Sequence, residues 1–330
     1  MRQIPLFETR KIKITNYFSE IEKKTIRNEI LNGLRNTHKQ ISAKYFYDKK
    51  GSRLFEAITH LDEYYQTRSE KEILANIAAK MNFSFEDFDI IELGSGDHSK
   101  ITLLFNQLPD KELNSLRYLP VDISLSAVEK SCQNLHELFP DLSINGFIAD
   151  FMTQLSVLPK ERKRLFCFFG GTIGNFNKLQ ALNFIRNISQ NMRAGDMFLL
   201  GFDRIKDIQI IENAYNDSKG ITADFNKNIL NSVNTLAGLN FNPDDFEHLS
   251  FYNTSENRIE MHLKTRKNLE ITSRFDDFRI FLSKGETIHT ENSHKFSNQM
   301  IEAMAKAAGL KTQAILSDEK NYFGMACMVK

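Results

Sequence analysis

A run of short apolar segments, each followed by a longer amphipathic stretch, occupies residues 88–202 and constrains the fold most. Such alternation of strand and helix is typical of a parallel sheet that is covered by helices on both faces. The predicted strands are residues 88–93, 118–121, 144–148, 165–169 and 197–202. Helices are predicted between them at residues 98–108, 124–138 and 177–193. The sequence therefore predicts an α/β fold.

This alternation is lost after about residue 205. Residues 206–237 are predicted to be mostly helical, and residues 246–289 contain strand-like runs. A helix at 297–308 and strands at 312–316 and 323–329 follow. The sequence thus predicts an insertion that interrupts the sheet, whose last elements lie at the C-terminus.

Composition excludes several classes of protein. The 330 residues carry 43 Lys+Arg and 42 Asp+Glu, and the resulting net charge of +1 disfavours a nucleic-acid partner. No apolar run approaches the roughly 18–20 residues of a membrane span, and the first residues lack the apolar stretch of a signal peptide. The three cysteines and eight histidines show no metal-binding spacing. We therefore expect a cytoplasmic globular protein without a metal or a membrane partner. We also expect a monomer, although no feature of the composition bears on this.

The segment IIELGSGDHSK at 90–100 runs from a predicted strand through Gly94 and Gly96 into a predicted helix. Glycines let the backbone turn tightly and approach a ligand, and ligands bind beyond the carboxyl ends of parallel strands. The segment lacks the third glycine of a dinucleotide fingerprint and the Lys-Ser/Thr end of a Walker loop. It favours S-adenosylmethionine, which has no pyrophosphate. A glycine turn that only closes the strand is the alternative.

Two acids end the next two predicted strands. Asp122 can accept hydrogen bonds from both ribose hydroxyls of a nucleoside. Asp150 can meet the adenine amino group while the Phe151 ring packs on the base. Either acid alone is more often a helix N-cap. Together with the glycine turn, at successive strand ends, they indicate a cofactor site that capping explains poorly.

Six segments, the glycine turn among them, carry a family pattern: KYFYDKKGS at 44–52, LDEYYQTRSEKEIL at 61–74, ELGSGDHSK at 92–100, FFGGTIGNF at 168–176, RIEMHL at 258–263 and HTENSHKF at 289–296. On these segments the chain resembles the histidine Nα-methyltransferases of ergothioneine biosynthesis, from about residue 40 to its end. The tyrosine-rich segment and the Glu-Asn-Ser segment are more specific than the glycine loop.

The resemblance implies a Rossmann-like class I methyltransferase sheet and a second, α+β substrate-binding domain formed by the N-terminal segment and an insertion. With boundaries from the sequence, residues 1–68 form the N-terminal part of the substrate-binding domain and 69–205 the methyltransferase core. Residues 206–294 form the insertion that completes the substrate-binding domain, and 295–330 return to the core.

The resemblance also implies a reaction, in which S-adenosylmethionine donates methyl groups in succession to the α-amine of L-histidine and the trimethylated betaine hercynine is formed. It implies that the cofactor contacts are Tyr64, Gly94, Lys100, Asp122, Asp150 and Phe151. It implies that the substrate's amino and carboxylate groups are contacted by Tyr47, Asn175 and Tyr215, with the backbone carbonyl of Gly170 near the amine. The implied imidazole pocket is Tyr64, Met261, Glu291 and Ser293, and the implied catalytic residues are Asn175, Gly170 and Tyr47.

The spacing of Glu291 and Ser293 is informative independently of the resemblance. If residues 289–296 are extended, these two side chains share one face of the strand. A carboxylate that accepts and a hydroxyl that accepts or donates match the two nitrogens of an imidazole ring. From spacing alone a solvated edge is the commoner place for such residues. The resemblance favours the pocket.

Two alternatives stay open. The first is a related N-methyltransferase that acts on another amino acid or on an aromatic amine. The second is a non-catalytic protein that binds the cofactor or a metabolite and signals its level. Binding without any mass gain on histidine would identify the second alternative.

Overall fold

The computed structural model describes residues 7–8, 11–17, 22–81, 84–96 and 98–330. The strands are β1 Phe7–Glu8, β2 Ile12–Asn16, β3 Phe88–Leu93, β4 Arg117–Asp122, β5 Ser143–Ile148, β6 Lys163–Phe168, β7 Met197–Asp203, β8 Phe246–Asn253, β9 Arg258–Thr265, β10 Leu269–Thr272, β11 Arg279–Leu282, β12 Thr287–His294, β13 Lys311–Ser317 and β14 Phe323–Val329. The α-helices are α1 Glu22–Arg35, α2 Lys49–Thr59, α3 Tyr65–Leu74, α4 Ile77–Met81, α5 Ser99–Phe105, α6 Asp110–Ser115, α7 Leu125–Leu138, α8 Lys178–Asn191, α9 Ile208–Asn213, α10 Ile221–Ala237 and α11 Asn298–Ala307. Short 3₁₀ helices span Ala43–Phe46, Leu155–Val157, Thr172–Asn175 and Pro243–Asp245.

The chain divides into two compact units. The first unit contains the described residues of 1–18 together with Gln66–Arg204 and Phe296–Lys330. The second contains the described residues of 19–65 together with Ile205–Lys295. Each unit is therefore built from segments that are distant in the sequence.

The first unit is organised around a nine-stranded sheet with the order β1-β2-β5-β4-β3-β6-β7-β14-β13. The strands from β2 to β7 in this order pair in parallel, and β14 pairs antiparallel with β7. Successive residues of a strand point to opposite faces, and both faces are buried here: Ile90 and Leu165 lie in one apolar cluster, while Ile91 and Phe166 lie in the other. The predicted α/β fold with a doubly covered parallel sheet is confirmed.

The strand order changes direction at β3, which creates a topological switch point beside this strand. The chain passes from β3 to β4 on one side, and β6 pairs with β3 on the other side. Parallel strands end at the same edge of a sheet, and the edge next to such a switch point is where ligands bind in open α/β sheets. Gly94, Asp122, Asp150 and Gly170 all follow the carboxyl ends of these neighbouring strands.

The N-terminal segment agrees with the expectation in part. Helical spacing from Ile21 to Leu34 predicts a helix over residues 15–37. Helix α1, Glu22–Arg35, confirms most of this prediction, whereas Thr15 and Asn16 end strand β2. Ile12 and Ile14 are buried and Lys13 is exposed, so β2 has the alternation of a strand. Because β2 pairs in parallel with β5, residues 12–16 belong to the nine-stranded sheet, whereas the sequence boundary places them in the substrate-binding domain.

The second unit contains a three-stranded antiparallel sheet, β12-β9-β8, and the two-stranded pair β10-β11. Within the larger sheet, Glu291 is paired with Met261 and Ser293 with Ile259, and the register shifts between His289 and Glu291. Apolar packing against helix α10 includes the Phe46 and Phe225 rings, which stack with centroids 4.5 Å apart. The predicted extended conformation of the segment around Glu291 and Ser293 is present as β12.

Over the described residues, the helices are too short or too polar to cross a membrane.

Candidate active site

The glycine turn follows β3 in the first unit. Gly94 has a φ of +68°, a conformation that L side chains rarely adopt, and its N–H donates to the Val121 carbonyl at 2.8 Å. A Cβ built on Gly94 would lie 3.7 Å from Cε1 of the Phe151 ring. The turn and the Phe151 ring are therefore neighbours at the edge of the sheet, as expected for two residues of one cofactor site.

Asp122 ends β4, and its carboxylate is tied to the glycine turn. Oδ2 accepts a hydrogen bond from Gly96 N at 3.3 Å, and Oδ1 accepts one from Ser124 N at 2.9 Å. The helix that follows is capped by Ser124, whose hydroxyl accepts from Ala127 N. Burial raises the pKa of Asp122, and these amide donors oppose that shift. The alternative reading of Asp122 as the N-cap is therefore wrong, since Ser124 has that position.

Asp150 lies in the turn after β5, and its carboxylate accepts hydrogen bonds from other residues of that turn. Oδ1 accepts from Met152 N at 2.8 Å, and Oδ2 accepts from the Thr153 hydroxyl at 3.1 Å. The Phe151 ring packs against Phe168 and Phe184, with centroids 5.5 and 6.1 Å away. A carboxylate has about four acceptor positions, so Asp150 retains capacity for a further donor such as an exocyclic amine.

A buried carboxylate, Glu70, joins two of the predicted site residues. Its Oε1 accepts from Gly170 N at 2.7 Å, and its Oε2 lies 2.8 Å from Lys100 Nζ. Gly170 has a φ of +82°, and a Cβ built there would lie only 3.0 Å from Lys100 Nζ. Glu70 is 1% exposed, so this ion pair is screened little by solvent. Lys100 and Gly170 are thereby fixed side by side.

Asn175 ends the 3₁₀ helix that follows the Gly170 turn, and it is half-buried. Among the described residues, none forms a hydrogen bond with its side-chain amide. An amide offers two donors and an acceptor without a charge, so Asn175 can hold a ligand amine or carboxylate.

In the second unit, three predicted tyrosines lie along one row of aromatic rings. The Tyr47 ring meets the Phe55 ring edge-on at 5.6 Å, Phe55 meets Tyr64 at 6.3 Å, and Tyr64 meets Tyr215 at 6.4 Å. Edge-to-face pairs at such distances are favourable. Tyr47 is 47% exposed, whereas Tyr64 and Tyr215 are buried. Phe55, which the sequence did not single out, bridges two of the tyrosines.

The face of the three-stranded sheet that carries Glu291, Ser293 and Met261 is called the Glu291 face. Glu291 and Ser293 are two positions apart on β12, and Met261 is the cross-strand partner of Glu291. Ser293 is 4% exposed, so the alternative of a solvated edge does not describe it. Burial raises the pKa of Glu291 to about 7, although the charge of Lys295 acts in the opposite direction.

Lys295 is fully buried and lies beside the Glu291 face. Its Nζ donates to the Ser293 hydroxyl at 2.8 Å and to the Tyr215 hydroxyl at 3.3 Å. Tyr215 Oη in turn donates to Ser293 Oγ at 2.7 Å. The structure thus brings Tyr215, Ser293 and Lys295 into one hydrogen-bonded network, with Glu291 on the same face.

The sequence-predicted residues fall into two groups. Gly94, Lys100, Asp122, Asp150, Phe151, Gly170 and Asn175 lie in the first unit, and Tyr47, Tyr64, Tyr215, Met261, Glu291 and Ser293 lie in the second. Sequence reasoning missed Glu70 and Lys295 because their partners are distant along the chain. Both lie inside segments that carry the family resemblance, which is the signal that could have drawn attention to them.

No group of three or more His, Cys, Asp or Glu side chains in the described part of the chain is arranged to hold a metal ion.

The sheet order, the antiparallel strand β14 and the polar residues at the strand ends define a class I S-adenosylmethionine-dependent methyltransferase fold. The solved structure of the mitomycin 7-O-methyltransferase MmcR has this fold and matches with a TM-score of 0.51 at 12% identity. The match covers 93% of this chain and 68% of that chain.

A family described as histidine-specific methyltransferase, SAM-dependent, matches residues 26–330. The chain is 35% identical over 306 residues to a histidine N-alpha-methyltransferase from Mycobacterium tuberculosis, covering 92% of this chain and 95% of the relative. It is 29% identical over 244 residues to ergothioneine biosynthesis protein 1 from Schizosaccharomyces pombe, covering 70% of this chain and 31% of that protein. The chain therefore belongs to the family of S-adenosylmethionine-dependent histidine-specific methyltransferases, and it is an enzyme that methylates histidine.

The residues at the sheet edge fit S-adenosylmethionine. Ser95, in the glycine turn, is 2% exposed, and no described residue forms a hydrogen bond with its hydroxyl. Buried polar atoms are normally paired, so an unpaired hydroxyl beside Gly94 is consistent with a ligand that completes it. Asp122, Asp150 and Phe151 supply the acceptors and the aromatic surface that a nucleoside requires.

Proposed function

We propose that the enzyme transfers three methyl groups in succession to the α-amine of L-histidine, so that the product is hercynine, the first intermediate of ergothioneine biosynthesis. The observation that supports histidine as the methyl acceptor is the environment of the Glu291 carboxyl group. Its carboxyl group is held in a buried setting that raises its pKa to about 7, and none of the described residues donates a hydrogen bond to it. A ring N–H of the substrate would supply that donor.

The cofactor side of this proposal uses residues of the first unit. When bound, S-adenosylmethionine supplies a methyl group on a positively charged sulfur, which an amine lone pair can attack. Asp122 would accept from the ribose hydroxyls, and Asp150 with Phe151 would hold the adenine. Lys100, fixed by Glu70, would hold the cofactor carboxylate, and Gly94 would allow close approach of the backbone. Tyr64 is the predicted cofactor contact of the second unit.

The amine side requires a neutral nucleophile, because a protonated amine has no lone pair to donate. Asn175 would hold the amine and the carboxylate of histidine without adding a charge that keeps the amine protonated. The Gly170 carbonyl would accept one N–H of the amine, and Tyr47 and Tyr215 would hold the amino and carboxylate groups. These contacts mainly position the amine for in-line attack, which is the chief source of rate in such a displacement.

The imidazole side uses the Glu291 face. Glu291 would accept from one ring nitrogen, Ser293 would pair with the other, and Met261 with Tyr64 would pack against the ring. A buried site built to hydrogen-bond a ring rejects analogues that lack the polar atom, because its own groups are then left unpaired. Specificity for histidine over phenylalanine follows from the same two side chains.

In this proposal the second unit is the substrate-binding domain and the first is the methyltransferase core. We further propose a monomer that acts in the cytoplasm on a small molecule rather than on nucleic acid or a membrane. The three cysteines support a reducing compartment, since Cys132, Cys167 and Cys327 are all buried and unpaired.

The decisive experiment incubates the pure protein with labelled S-adenosylmethionine and each free amino acid in turn, with mass spectrometry of the products. We expect label on histidine alone, in species that carry one, two and three methyl groups on the α-nitrogen. Label on the ring nitrogens, or on another amino acid, would refute the proposed acceptor. Binding of both ligands without any methyl transfer would instead support the alternative of a non-catalytic protein that signals the level of a metabolite.

A further inference from the structure

The Ser293 hydroxyl receives two hydrogen bonds within the second unit. Tyr215 Oη donates to it at 2.7 Å, and Lys295 Nζ donates to it at 2.8 Å. An ammonium group can only donate, so Tyr215 Oη and Ser293 Oγ both accept from Lys295. Ser293 Oγ is thus the shared acceptor of Tyr215 and Lys295.

A hydroxyl oxygen has two acceptor positions and one proton to donate. Both acceptor positions of Ser293 are used by Tyr215 and Lys295, so its own proton is the one hydrogen-bonding capacity that remains. Ser293 shares its face of β12 with Glu291, which offers an acceptor oxygen both as a carboxylate and as a neutral carboxyl group. The Glu291 face thus carries one acceptor and one donor.

The network is held in place from the backbone of Tyr215. The carbonyl of Tyr215 accepts from His248 Nε2 at 2.9 Å, and His248 Nδ1 accepts from Asn226 Nδ2 at 2.8 Å. Burial lowers the pKa of His248, which favours the neutral ring with one donor and one acceptor nitrogen. Lys295, Ser293 and Tyr215 are all buried, so the network is shielded from bulk solvent.

We propose that Lys295 is a positioning residue that fixes the Ser293 hydroxyl as a hydrogen-bond donor, so that the Glu291 face selects a neutral five-membered ring with one N–H and one unprotonated nitrogen. This inference rests on the proposed function, because it assumes that the imidazole of histidine lies on the Glu291 face. An imidazolium would direct its second N–H at a serine that can no longer accept.

The direct test is nitrogen-15 NMR of labelled L-histidine bound to the wild-type enzyme with S-adenosylhomocysteine. At about pH 6, below the ordinary imidazole pKa of about 6.5, free histidine is mostly the cation. We expect the bound ring to show one protonated and one unprotonated nitrogen at this pH. Two protonated nitrogens in the bound ring would overturn the proposal, and no variant is needed to see them.

A double-mutant cycle tests whether Lys295 acts through Ser293. Lys295→Met and Ser293→Ala are each expected to weaken L-histidine binding about tenfold in calorimetry. The double variant should bind histidine no more weakly than either single variant, because both remove the same donor. Additive losses would overturn the proposal, since they would show that Lys295 supports the fold or the substrate by another route.

Lys264→Met is the matched control, because Lys264 lies on the same sheet in an exposed pair with Glu247. It should leave histidine affinity unchanged, and S-adenosylhomocysteine affinity should be unchanged in all variants. If wild-type enzyme fails to bind histidine, the proposed function is wrong. If it binds and Ser293→Ala weakens binding while Lys295→Met does not, only the role of Lys295 is wrong.

Discussion

The strand-end residues of the first unit and the Glu291 face of the second unit satisfy their polar groups in different ways. Asp122 and Asp150 accept hydrogen bonds from backbone amides one to a few residues away or in the adjacent turn. Glu291 receives no hydrogen bond from the described residues, and Ser293 is held by two side chains, Tyr215 and Lys295. One region is organised by backbone geometry and the other by a side-chain network.

This contrast separates what is general from what is specific in the enzyme. Turns at parallel strand ends form the ligand sites of open α/β sheets in general. A desolvated carboxyl group that receives no hydrogen bond destabilises the fold, and a ligand that donates to it would remove that cost. We therefore expect substitutions in the first unit to change cofactor affinity and substitutions on the Glu291 face to change the choice of substrate.

The largest effect is expected for Glu291→Ala. Loss of a charge-assisted hydrogen bond to the ring should weaken L-histidine binding by about 2–3 kcal/mol, or roughly 30- to 100-fold. Cofactor affinity should stay nearly constant in the same calorimetric titrations. Glu247→Ala, which removes an exposed acid on β8 of the same sheet, is the control. A parallel fall of both affinities would remove Glu291 from the imidazole site.

A somewhat smaller effect is expected for Glu70→Ala. The substitution leaves the Gly170 N–H and Lys100 without their shared partner, so the free energy of unfolding in urea should fall by about 2 kcal/mol. Cofactor affinity should fall as well, because Lys100 is no longer fixed. Glu70→Gln keeps an acceptor for Gly170 and should recover most of the stability. Equal losses in the two variants would show that the Gly170 hydrogen bond is unimportant.

Asp122→Ala should weaken cofactor binding about tenfold, since the ribose loses its acceptor and the Gly96 amide loses its partner. Histidine affinity, measured with saturating S-adenosylhomocysteine, should not change. Asp141→Ala, an exposed acid after α7, is the control. Unchanged cofactor affinity in Asp122→Ala would exclude this residue from the ribose site.

The smallest expected effect is on the melting temperature, which should depend on pH through the ionisation of Glu291. Its pKa in the folded enzyme is raised to about 7 from 4.5, so the folded state binds the proton more tightly than the unfolded chain. Stability contributed by the protonated group is present below about pH 4.5 and is lost as the pH rises through about 7. Glu291→Gln should therefore raise the melting temperature at pH 8 by roughly 1–3 °C and change it little at low pH. A gain at low pH alone would contradict the buried, ionisable state of Glu291.

Much of the fold could be predicted from the sequence because its elements have strong local signals. The strand at 88–93 and the helix near 124–138 are present with nearly the predicted limits. The helix predicted over residues 15–37 is present as Glu22–Arg35, but Thr15 and Asn16 belong to the strand Ile12–Asn16, which the sequence pattern does not predict. Partner strand β5 is more than a hundred residues away, so no local pattern reveals the pairing.

The chain by itself determined the parallel sheet, the glycine turn and the acids at the strand ends, because each depends on residues that are neighbours in sequence. Only the tertiary structure decided that Glu70 joins Lys100 to Gly170 and that Lys295 holds Ser293 against Tyr215. Burial, which raises the pKa of Glu291, is likewise a property of the folded chain. The physical reason is that desolvation and side-chain hydrogen bonding depend on groups that folding brings together from distant positions.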